Sequence, residues 1–312
     1  MVALNGSVMF QKTLKYRVSC RGVGLHSGAT VTMSLVPADE DAGIVFRRTD
    51  LPGAPEIAAR LDRVEDTRLC TMIGDGKGLR IGTIEHLMAA FAGLGVDNAV
   101  VELDGPEVPV MDGSSAPFVF LIECAGLVEQ AKPRRVVRVL APVEIVEGDK
   151  RVMLAPAEGF SIAFEIDFDS AAVARQEIAF DLADGVFKRE LARARTFGFA
   201  EQVEQLRSLG LIRGGSLENA VVVEGDKVLN EGGLRYDDEF VRHKALDSIG
   251  DLYLAGPIVG AFVGVKSGHD LNNRLLRKLM ATPSAWTYDS AEPRRRIAAS
   301  GRSTQRLAAS PF

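Results

Sequence analysis

Two of the four histidines in this 312-residue chain, His86 and His243, lie in acidic clusters 157 positions apart. His86 directly follows Glu85, and His243 precedes Asp247 by four positions, which places His243 and Asp247 on one face of a helix. Three such ligands leave the coordination position for water that a catalytic zinc ion requires. Glu85, next to a ligand, is then placed to accept a proton from that water. The pattern predicts a zinc hydrolase with His86, His243 and Asp247 as ligands; the alternative is a solvated helix pair without metal.

A further histidine, His269, lies in a turn just before a helical segment. Asp251 continues the stripe of His243 and Asp247 at the next helical turn and is suited to hydrogen bonding in the same cleft. A loop histidine held by a rigid helix is typical of a general acid, and a nearby carboxylate favours its charged form. We therefore expect His269 to act as the acid with support from Asp251. The alternative is that His269 only caps its helix.

Two other runs have unusual composition. Residues 193–199 combine two arginines and a threonine with aromatic residues, so Thr196 and Phe197 could line a site for an anionic or sugar-bearing ligand; the alternative is a strand end with surface arginines. Residues 22–28 are glycine-rich but lack the Gly-Lys-Ser/Thr of a phosphate-binding P-loop and the glycine spacing of a dinucleotide site. We interpret this run as a tight turn that brings His26 near the cleft.

Seven motifs in order along the chain resemble those of UDP-3-O-acyl-N-acetylglucosamine deacetylase. They are Gly-Val-Gly-Leu-His-Ser-Gly at 22–28, Thr-Ile-Glu-His-Leu at 83–87, Ala-Gly-Leu-Gly-Val-Asp-Asn at 92–98, Pro-Val-Met-Asp-Gly-Ser at 109–114, Arg-Ala-Arg-Thr-Phe-Gly-Phe at 193–199, Asp-Glu-Phe-Val-Arg-His-Lys-Ala-Leu-Asp at 238–247 and Ser-Gly-His-Asp-Leu-Asn-Asn at 267–273. The resemblance runs from about residue 11 to residue 286. Asp270 stands where the family commonly has a small residue.

The resemblance implies hydrolysis of the N-acetyl group of an acylated UDP-N-acetylglucosamine, the committed step of lipid A synthesis in Gram-negative bacteria. It implies Zn²⁺ as the cofactor. The site residues it implies are the zinc ligands His86, His243 and Asp247, the base Glu85, the acid His269 with Asp251 behind it, Thr196 at the oxyanion, and Lys244 at the phosphates or sugar. Either His269 or protonated Glu85 gives the departing amine its proton.

An acyl substrate also needs an apolar slot. The segment that contains Phe197, Val203, Leu206, Leu217 and Val222 offers suitable side chains in the second half of the chain. We expect Phe197, Val203 and Leu217 to contact the substrate. The alternative is that these are ordinary core residues.

The elements that would position these residues alternate along the chain. Strand-like segments are 30–36, 98–103, 136–145, 151–156 and 160–168, and helical segments are 84–93, 117–127, 200–209, 238–255 and 271–279. This order predicts an α+β fold. The resemblance implies two similar domains, each a sheet packed on helices, in a sheet–helix–helix–sheet sandwich with small inserts, although no internal sequence repeat is evident.

Composition indicates where the domains end. The polar, proline-containing run 132–135 is the best linker candidate, so we expect domains at 1–131 and 132–286. The first would hold the base and one zinc ligand, and the second the other two ligands, the acid and the acyl-chain insert. Residues 287–312 carry five arginines among small polar residues and are expected to be a disordered tail.

Charge and cysteine content exclude several classes of protein. The net charge of −5 argues against a general nucleic-acid binder, which would be expected to show a basic stripe. The three cysteines are odd in number and widely separated, and they include no Cys-x-x-Cys pair. This pattern indicates reduced thiols of a cytosolic protein rather than a disulfide framework or a structural zinc site. No signal peptide is evident, and no apolar run approaches the ~20 residues that cross a bilayer. We expect a cytoplasmic monomer without a transmembrane segment.

Two other functions remain open at this point. A different zinc amidase acting on a nucleotide sugar would differ in the acyl-amide substrate from which it releases acetate. A non-catalytic binding protein that retains the fold is disfavoured because such a copy would be expected to lose Glu85 and His269 first.

Overall fold

Alternating burial explains most of the strands. In the strand Ile44–Arg48 every second side chain is buried, and the strand Ile258–Val265 shows the same period of two. Each sheet therefore presents one apolar face that requires a covering layer. The computed structural model describes residues 9–183 and 185–290.

The first half of the chain contains ten strands and two α-helices within residues 9–133. The strands are β1 (Phe10–Leu14), β2 (Val18–Val23), β3 (Thr30–Pro37), β4 (Ile44–Arg48), β5 (Glu56–Ala58), β6 (Val64–Asp66), β7 (Met72–Gly74), β8 (Arg80–Ile81), β9 (Ala99–Leu103) and β10 (Leu127–Pro133). The helices are α1 (Glu85–Leu94) and α2 (Ala116–Ala125).

The second half adds ten strands and three α-helices within the described part of residues 135–290. The strands are β11 (Arg135–Val139), β12 (Val143–Glu147), β13 (Lys150–Ala155), β14 (Phe160–Asp167), β15 (Arg175–Asp181), β16 (Phe197–Phe199), β17 (Val221–Glu224), β18 (Lys227–Val228), β19 (Ile258–Val265) and β20 (Trp286–Ser290). The helices are α3 (Ala200–Ser208), α4 (Glu239–Leu252) and α5 (His269–Met280).

The two halves have the same topology. The first sheet has the order β2-β3-β9-β4-β5, with β9 antiparallel to β3 and parallel to β4. In the second sheet β12, β13, β19, β14 and β15 repeat that order, with β19 antiparallel to β13 and parallel to β14. The antiparallel pair β1–β10 corresponds to β11–β20. The fold is therefore a structural duplication, as the α+β expectation with two similar units requires.

The corresponding helices α1 and α4 pack against each other in the interior. Gly250 permits this approach, because a Cβ atom at this position would lie 2.0 Å from the carbonyl oxygen of Glu85. Helix α2 contacts α1 and β2, whereas α4 contacts β14 and β15, and α5 contacts β12 and β13. The helices thus lie between the sheets, in the expected sheet–helix–helix–sheet order.

Small three-stranded sheets are inserted at equivalent places in the two halves. The sheet β6-β7-β8 precedes α1, and the sheet β16-β17-β18, accompanied by α3, precedes α4. Each insert therefore leads directly into one of the two central helices. No helix of the described chain is both long and apolar enough to cross a membrane.

The linker candidate 132–135 lies where the two halves of the chain join, but it consists mainly of strand ends rather than of a loop. Lys132 and Pro133 end β10, and Arg135 begins β11. Arg134 between them is held by Asp97, whose Oδ1 lies 2.7 Å from its Nε. The polar composition reflects this ion pair and the exposed faces of two strands. The predicted single strand 136–145 is two strands, because β11 ends at Val139 and β12 begins at Val143.

The prediction that residues 287–312 form a disordered tail was wrong for residues 287–290. Residues Trp286–Ser290 form β20, which pairs with β11 from Trp286 opposite Val139 to Ser290 opposite Arg135. The physical reason is the duplication, since β11 needs the partner that β10 provides for β1. The rest of the predicted tail, 291–312 with its five arginines, lies outside the described residues.

Candidate active site

Three predicted metal ligands converge where α1 meets α4. Oδ1 of Asp247 lies 3.4 Å from Nε2 of His86 and 3.3 Å from Nε2 of His243. Two ligand atoms of a tetrahedral zinc ion at ~2.0–2.1 Å would lie about 3.3–3.4 Å apart, so the spacing fits. Among the described residues this is the one group of three or more histidine, cysteine or acidic side chains with the spacing of a metal site.

Hydrogen bonding at the cluster also fits a cation. Oδ1 of Asp247 is buried without a hydrogen-bond partner, while Oδ2 accepts a bond of 2.9 Å from Nζ of Lys244. A buried carboxylate oxygen without a donor is costly unless a cation neutralises it. Nδ1 of His243 lies 3.1 Å from the carbonyl oxygen of Ala194, which favours a proton on Nδ1 and leaves Nε2 free as a ligand.

Burial and charge set the protonation of the cluster. Burial lowers the pKa of His243 to about 4, so this ring is neutral at neutral pH. Burial raises the pKa of Asp247, but His243 and Lys244 outweigh it and hold the pKa well below the usual value. Burial lowers the pKa of His86, yet Asp247 outweighs this effect and the net pKa is raised. A metal ion binds the neutral form of the ring, so it would compete with a proton at His86.

Glu85 is the first residue of α1 and is buried beside the cluster. Its Oε2 accepts a 3.0 Å hydrogen bond from the backbone N–H of Thr71. Burial raises the pKa of Glu85, and the neighbouring His269 and His86 oppose this shift without cancelling it. A carboxylate with a raised pKa is a better proton acceptor near neutral pH.

The turn that leads into α1 is fixed by a second carboxylate. Thr83 adopts a positive φ of 55°, which is unfavourable for a β-branched residue. Its Oγ1 donates to Oε1 of Glu107 at 2.8 Å, and the N–H groups of His26 and Ser27 donate to the same carboxylate. Glu107 therefore joins the glycine-rich turn to the start of the helix that carries Glu85.

His269 and Asp251 form a buried pair at the other side of the site. Nδ1 of His269 lies 2.8 Å from Oδ2 of Asp251. Burial alone lowers the pKa of His269, but the charge and hydrogen bond of Asp251 outweigh it and raise the pKa to about 9. The imidazole is therefore charged at neutral pH.

These groups line one cavity of about 430 Å³. Phe168, Phe197 and Phe199 form one wall, with the ring centroids of Phe168 and Phe197 5.7 Å apart. Lys150 and Lys266 also line the cavity. The cavity thus combines an apolar wall, cationic groups and the His–His–Asp cluster.

Comparison with known proteins identifies the protein family of this chain. The model of the LpxC family, described as UDP-3-O-acyl N-acetylglycosamine deacetylase, matches residues 11–281. The chain belongs to this family.

Curated members of the LpxC family align over nearly all of the chain. The UDP-3-O-acyl-N-acetylglucosamine deacetylase of Acidithiobacillus ferrooxidans is 56% identical over 288 residues, which cover 91% of this chain and 94% of the relative. The enzyme of the same name from Phenylobacterium zucineum is 55% identical over 280 residues, covering 89% and 96%. A third, from a Shewanella species, is 50% identical over 288 residues, covering 91% and 94%.

Most of the site residues predicted from the sequence lie together in this LpxC-family chain. Thr196, Phe197 and Lys244 line the cavity with Glu85, the His–His–Asp cluster and His269. The backbone holds Thr196 on both sides, since its N–H donates to the carbonyl of Gly113 at 2.7 Å and its carbonyl accepts from Val221 at 2.8 Å. Asp251 lies behind His269.

Three predicted substrate-binding residues do not line the cavity. His26 is turned toward the second insert, where its Nδ1 accepts from the N–H of Ile212 at 3.4 Å, and Leu25 lines the cavity instead. In α3 the lining residue is Gln202, and its neighbour Val203 points elsewhere because successive helical residues differ by about 100°. Leu217 is 50% exposed.

Other residues at the site were not predicted. Phe168 follows β14, far in sequence from Phe197, and no local pattern marks it as a cavity residue. Phe199 could have been found, since it ends the aromatic run 193–199 in which Phe197 was singled out. Thr71 contacts both Glu85 and Asp251 but lies in an unremarkable stretch of sequence.

Proposed function

We propose that this chain is a zinc-dependent amidase that hydrolyses the N-acetyl group of UDP-3-O-acyl-N-acetylglucosamine to give acetate and UDP-3-O-acyl-glucosamine. This reaction is the committed step of lipid A biosynthesis. The observation that carries the proposal is the convergence of His86, His243 and Asp247 beside Glu85 and His269 in one cavity of an LpxC-family chain.

Glu85 is the general base in this proposal. A bound zinc ion supplies Lewis-acid activation of water and of the amide carbonyl. Glu85 accepts the proton of the attacking water, since it is adjacent to the ligand His86 and its Oε2 is already held by Thr71. The remaining carboxylate oxygen, Oε1, is then the one that takes the proton.

His269 and Thr196 stabilise the negative oxygen that forms at the acetyl carbonyl. The charged imidazole of His269 and the hydroxyl of Thr196 both line the cavity, where exclusion of water strengthens their effect. As the C–N bond breaks, the amine nitrogen takes a proton from His269 or from Glu85. Asp251 keeps Nδ1 of His269 hydrogen-bonded, so Nε2 is the atom that acts on the substrate.

The other lining residues bind the substrate. Lys244 uses one of its three N–H donors on Asp247 and can offer the others to the sugar or phosphates. Lys150 provides positive charge for the diphosphate, whereas Lys266 is paired with Asp149 and Asp167. The wall of Phe168, Phe197 and Phe199 receives the acyl chain.

We also propose that the protein acts in the cytoplasm as a monomer, with domains that meet near residue 134. The proposed ligands, base and acid converge within one chain, as an active site that needs no second copy requires. The long pairing of β11 with β20 supports assigning residues 135–290 to the second domain.

The proposal is tested by measuring zinc content and acetate release from UDP-3-O-acyl-N-acetylglucosamine with the same preparation. We expect one zinc per chain and stoichiometric formation of the free amine. Release of acetate only from other N-acetylated nucleotide sugars would indicate a different amidase, and no hydrolysis by zinc-loaded protein would refute the proposed function.

A further inference from the structure

We propose that Thr71 is a positioning residue that fixes the general base and the Asp251–His269 pair in one hydrogen-bonded unit. This inference rests on the proposed function. Thr71 lies immediately before β7, in the first insert, and its side chain is assigned no role in binding substrate or metal.

Thr71 contacts the two halves of the catalytic apparatus with different atoms. Its backbone N–H donates to Oε2 of Glu85 at 3.0 Å, and its Oγ1 donates to Oδ1 of Asp251 at 2.5 Å. Its carbonyl oxygen accepts from the N–H of Ile84, at the start of α1, at 3.4 Å. Thr71 is only 2% exposed, so water does not compete for these bonds.

The hydroxyl bond determines how Asp251 faces His269. Oδ1 of Asp251 is engaged by Thr71, whereas Oδ2 receives both Nδ1 of His269 at 2.8 Å and Nδ2 of Asn272 at 2.9 Å. Rotation of the carboxylate would break bonds on both oxygens. Thr71 therefore keeps Oδ2 directed at His269, which holds the proton on Nδ1 and leaves Nε2 for the cavity.

The backbone bond fixes Glu85 in the same way. With Oε2 held by the N–H of Thr71, Oε1 is the oxygen available to take a proton. Because Thr71 makes both contacts, it sets the position of the base relative to that of the acid. A simpler possibility is that Thr71 only anchors the first insert to the helices, and the experiment must separate the two.

The substitution Thr71→Val removes the hydroxyl while keeping the shape and the backbone N–H. It leaves Oδ1 of Asp251 buried without its donor, and loss of a hydrogen bond to a charged group predicts a roughly 10-fold lower kcat. We expect KM within about twofold and unchanged zinc content, because only the hydroxyl is lost. Thr71→Ser, which restores the hydroxyl, should recover most of the turnover.

The matched control is Thr13→Val. Thr13 is also buried, and its Oγ1 accepts from the N–H of Ala38 at 3.0 Å in a part of the first half that does not line the cavity. Loss of this hydroxyl should leave kcat unchanged. An equal loss of kcat in Thr13→Val and Thr71→Val would contradict a positioning role.

A double-mutant cycle with Asp251→Ala gives the decisive readout. If Thr71 acts through Asp251, Thr71→Val should lower kcat by less than twofold in the Asp251→Ala background. Effects that multiply in the double variant would overturn the inference, as would unchanged kcat in Thr71→Val. If Thr71→Val does not fold, Thr71→Ala replaces it in the same cycle. An inactive unmodified enzyme would instead refute the proposed function itself, and this inference with it.

Discussion

Nδ1 of His269 and Oδ2 of Asp251 lie 2.8 Å apart although the two residues belong to different helices. Asp251 extends the face of α4 that holds two predicted metal ligands, and His269 begins α5. The pair therefore links the protonation of the proposed acid to the helix that would bind the metal.

The pair predicts a shift of the pH profile in Asp251→Asn. Asp251 raises the pKa of His269 to about 9, and activity should fall as the pH rises through this value because the charged imidazole is lost. Replacing the anion by a neutral amide lowers the pKa of His269, so the basic limb of kcat against pH should move to lower pH. Turnover should fall while zinc remains bound.

The control for this shift is Asp62→Asn, which replaces an exposed carboxylate that is paired with Arg60. It should leave the profile unchanged. A basic limb that stays in place in Asp251→Asn but disappears in His269→Ala would remove Asp251 from its supporting role. If His269→Ala leaves the turnover and the profile intact, His269 only begins its helix.

Glu85→Ala should retain zinc and lose activity. Glu85 neighbours a proposed ligand but is not one of the three converging residues, so metal content should stay near one per chain. Turnover should fall by roughly 10²–10⁴-fold, the usual effect of losing a general acid–base group. Loss of zinc would show that Glu85 coordinates the metal, and unchanged kcat would exclude it as the base.

The aromatic wall predicts dependence on acyl length. Phe197→Ala removes a ring that packs against both Phe168 and Phe199, so KM should rise about 10-fold or more for a long-chain substrate and much less for a short-chain analogue. Phe120→Ala removes an exposed ring outside the cavity and serves as the control. Equal changes for both chain lengths would indicate that Phe197 does not contact the acyl chain.

A buried ion pair behind Thr196 should contribute strongly to stability. Both oxygens of Glu239 accept bonds from Arg195, at 2.8 and 3.0 Å, and Glu239 is fully buried. Arg195→Met leaves that carboxylate unpaired and should lower the free energy of unfolding by about 3–5 kcal/mol, measured by urea denaturation at neutral pH. The exposed pair of Arg60 and Asp62 provides the control, since Arg60→Met should change the free energy of unfolding by less than about 1 kcal/mol.

The difference in the free energy of unfolding between Arg195→Met and the unmodified protein should become smaller at acidic pH. Burial raises the pKa of Glu239, but the hydrogen bonds from Arg195 outweigh it and lower the pKa below its usual value. Such a group stabilises the fold above the ordinary carboxyl pKa, and this stabilisation is lost as the pH falls through the lowered pKa. A difference that grows on acidification would contradict this assignment.

The sequence was most informative where function depends on local spacing. The i, i+4, i+8 stripe of α4 could be read directly, because helical periodicity determines which side chains share a face. The boundaries of the two central helices were also predicted closely, at 84–93 for the observed α1 and at 238–255 for α4. The residues proposed to carry the chemistry could therefore be identified before the fold was known.

Contacts between distant segments could not be predicted in the same way. The bond between Thr71 and Asp251 joins the first insert to α4, and Phe168 reaches Phe197 only through the packing of the second half. Strand β20 was missed because its partner β11 lies far away in sequence. A duplicated topology without a visible sequence repeat conceals such pairings.

The most direct test is zinc content and deacetylation, measured together on the unmodified protein and on His86→Ala. The unmodified protein should bind one zinc per chain and release acetate from UDP-3-O-acyl-N-acetylglucosamine. His86→Ala removes one of the three converging ligands and should lose both stoichiometric zinc and activity. Full activity with stoichiometric zinc in His86→Ala, or metal bound at other residues, would contradict the account.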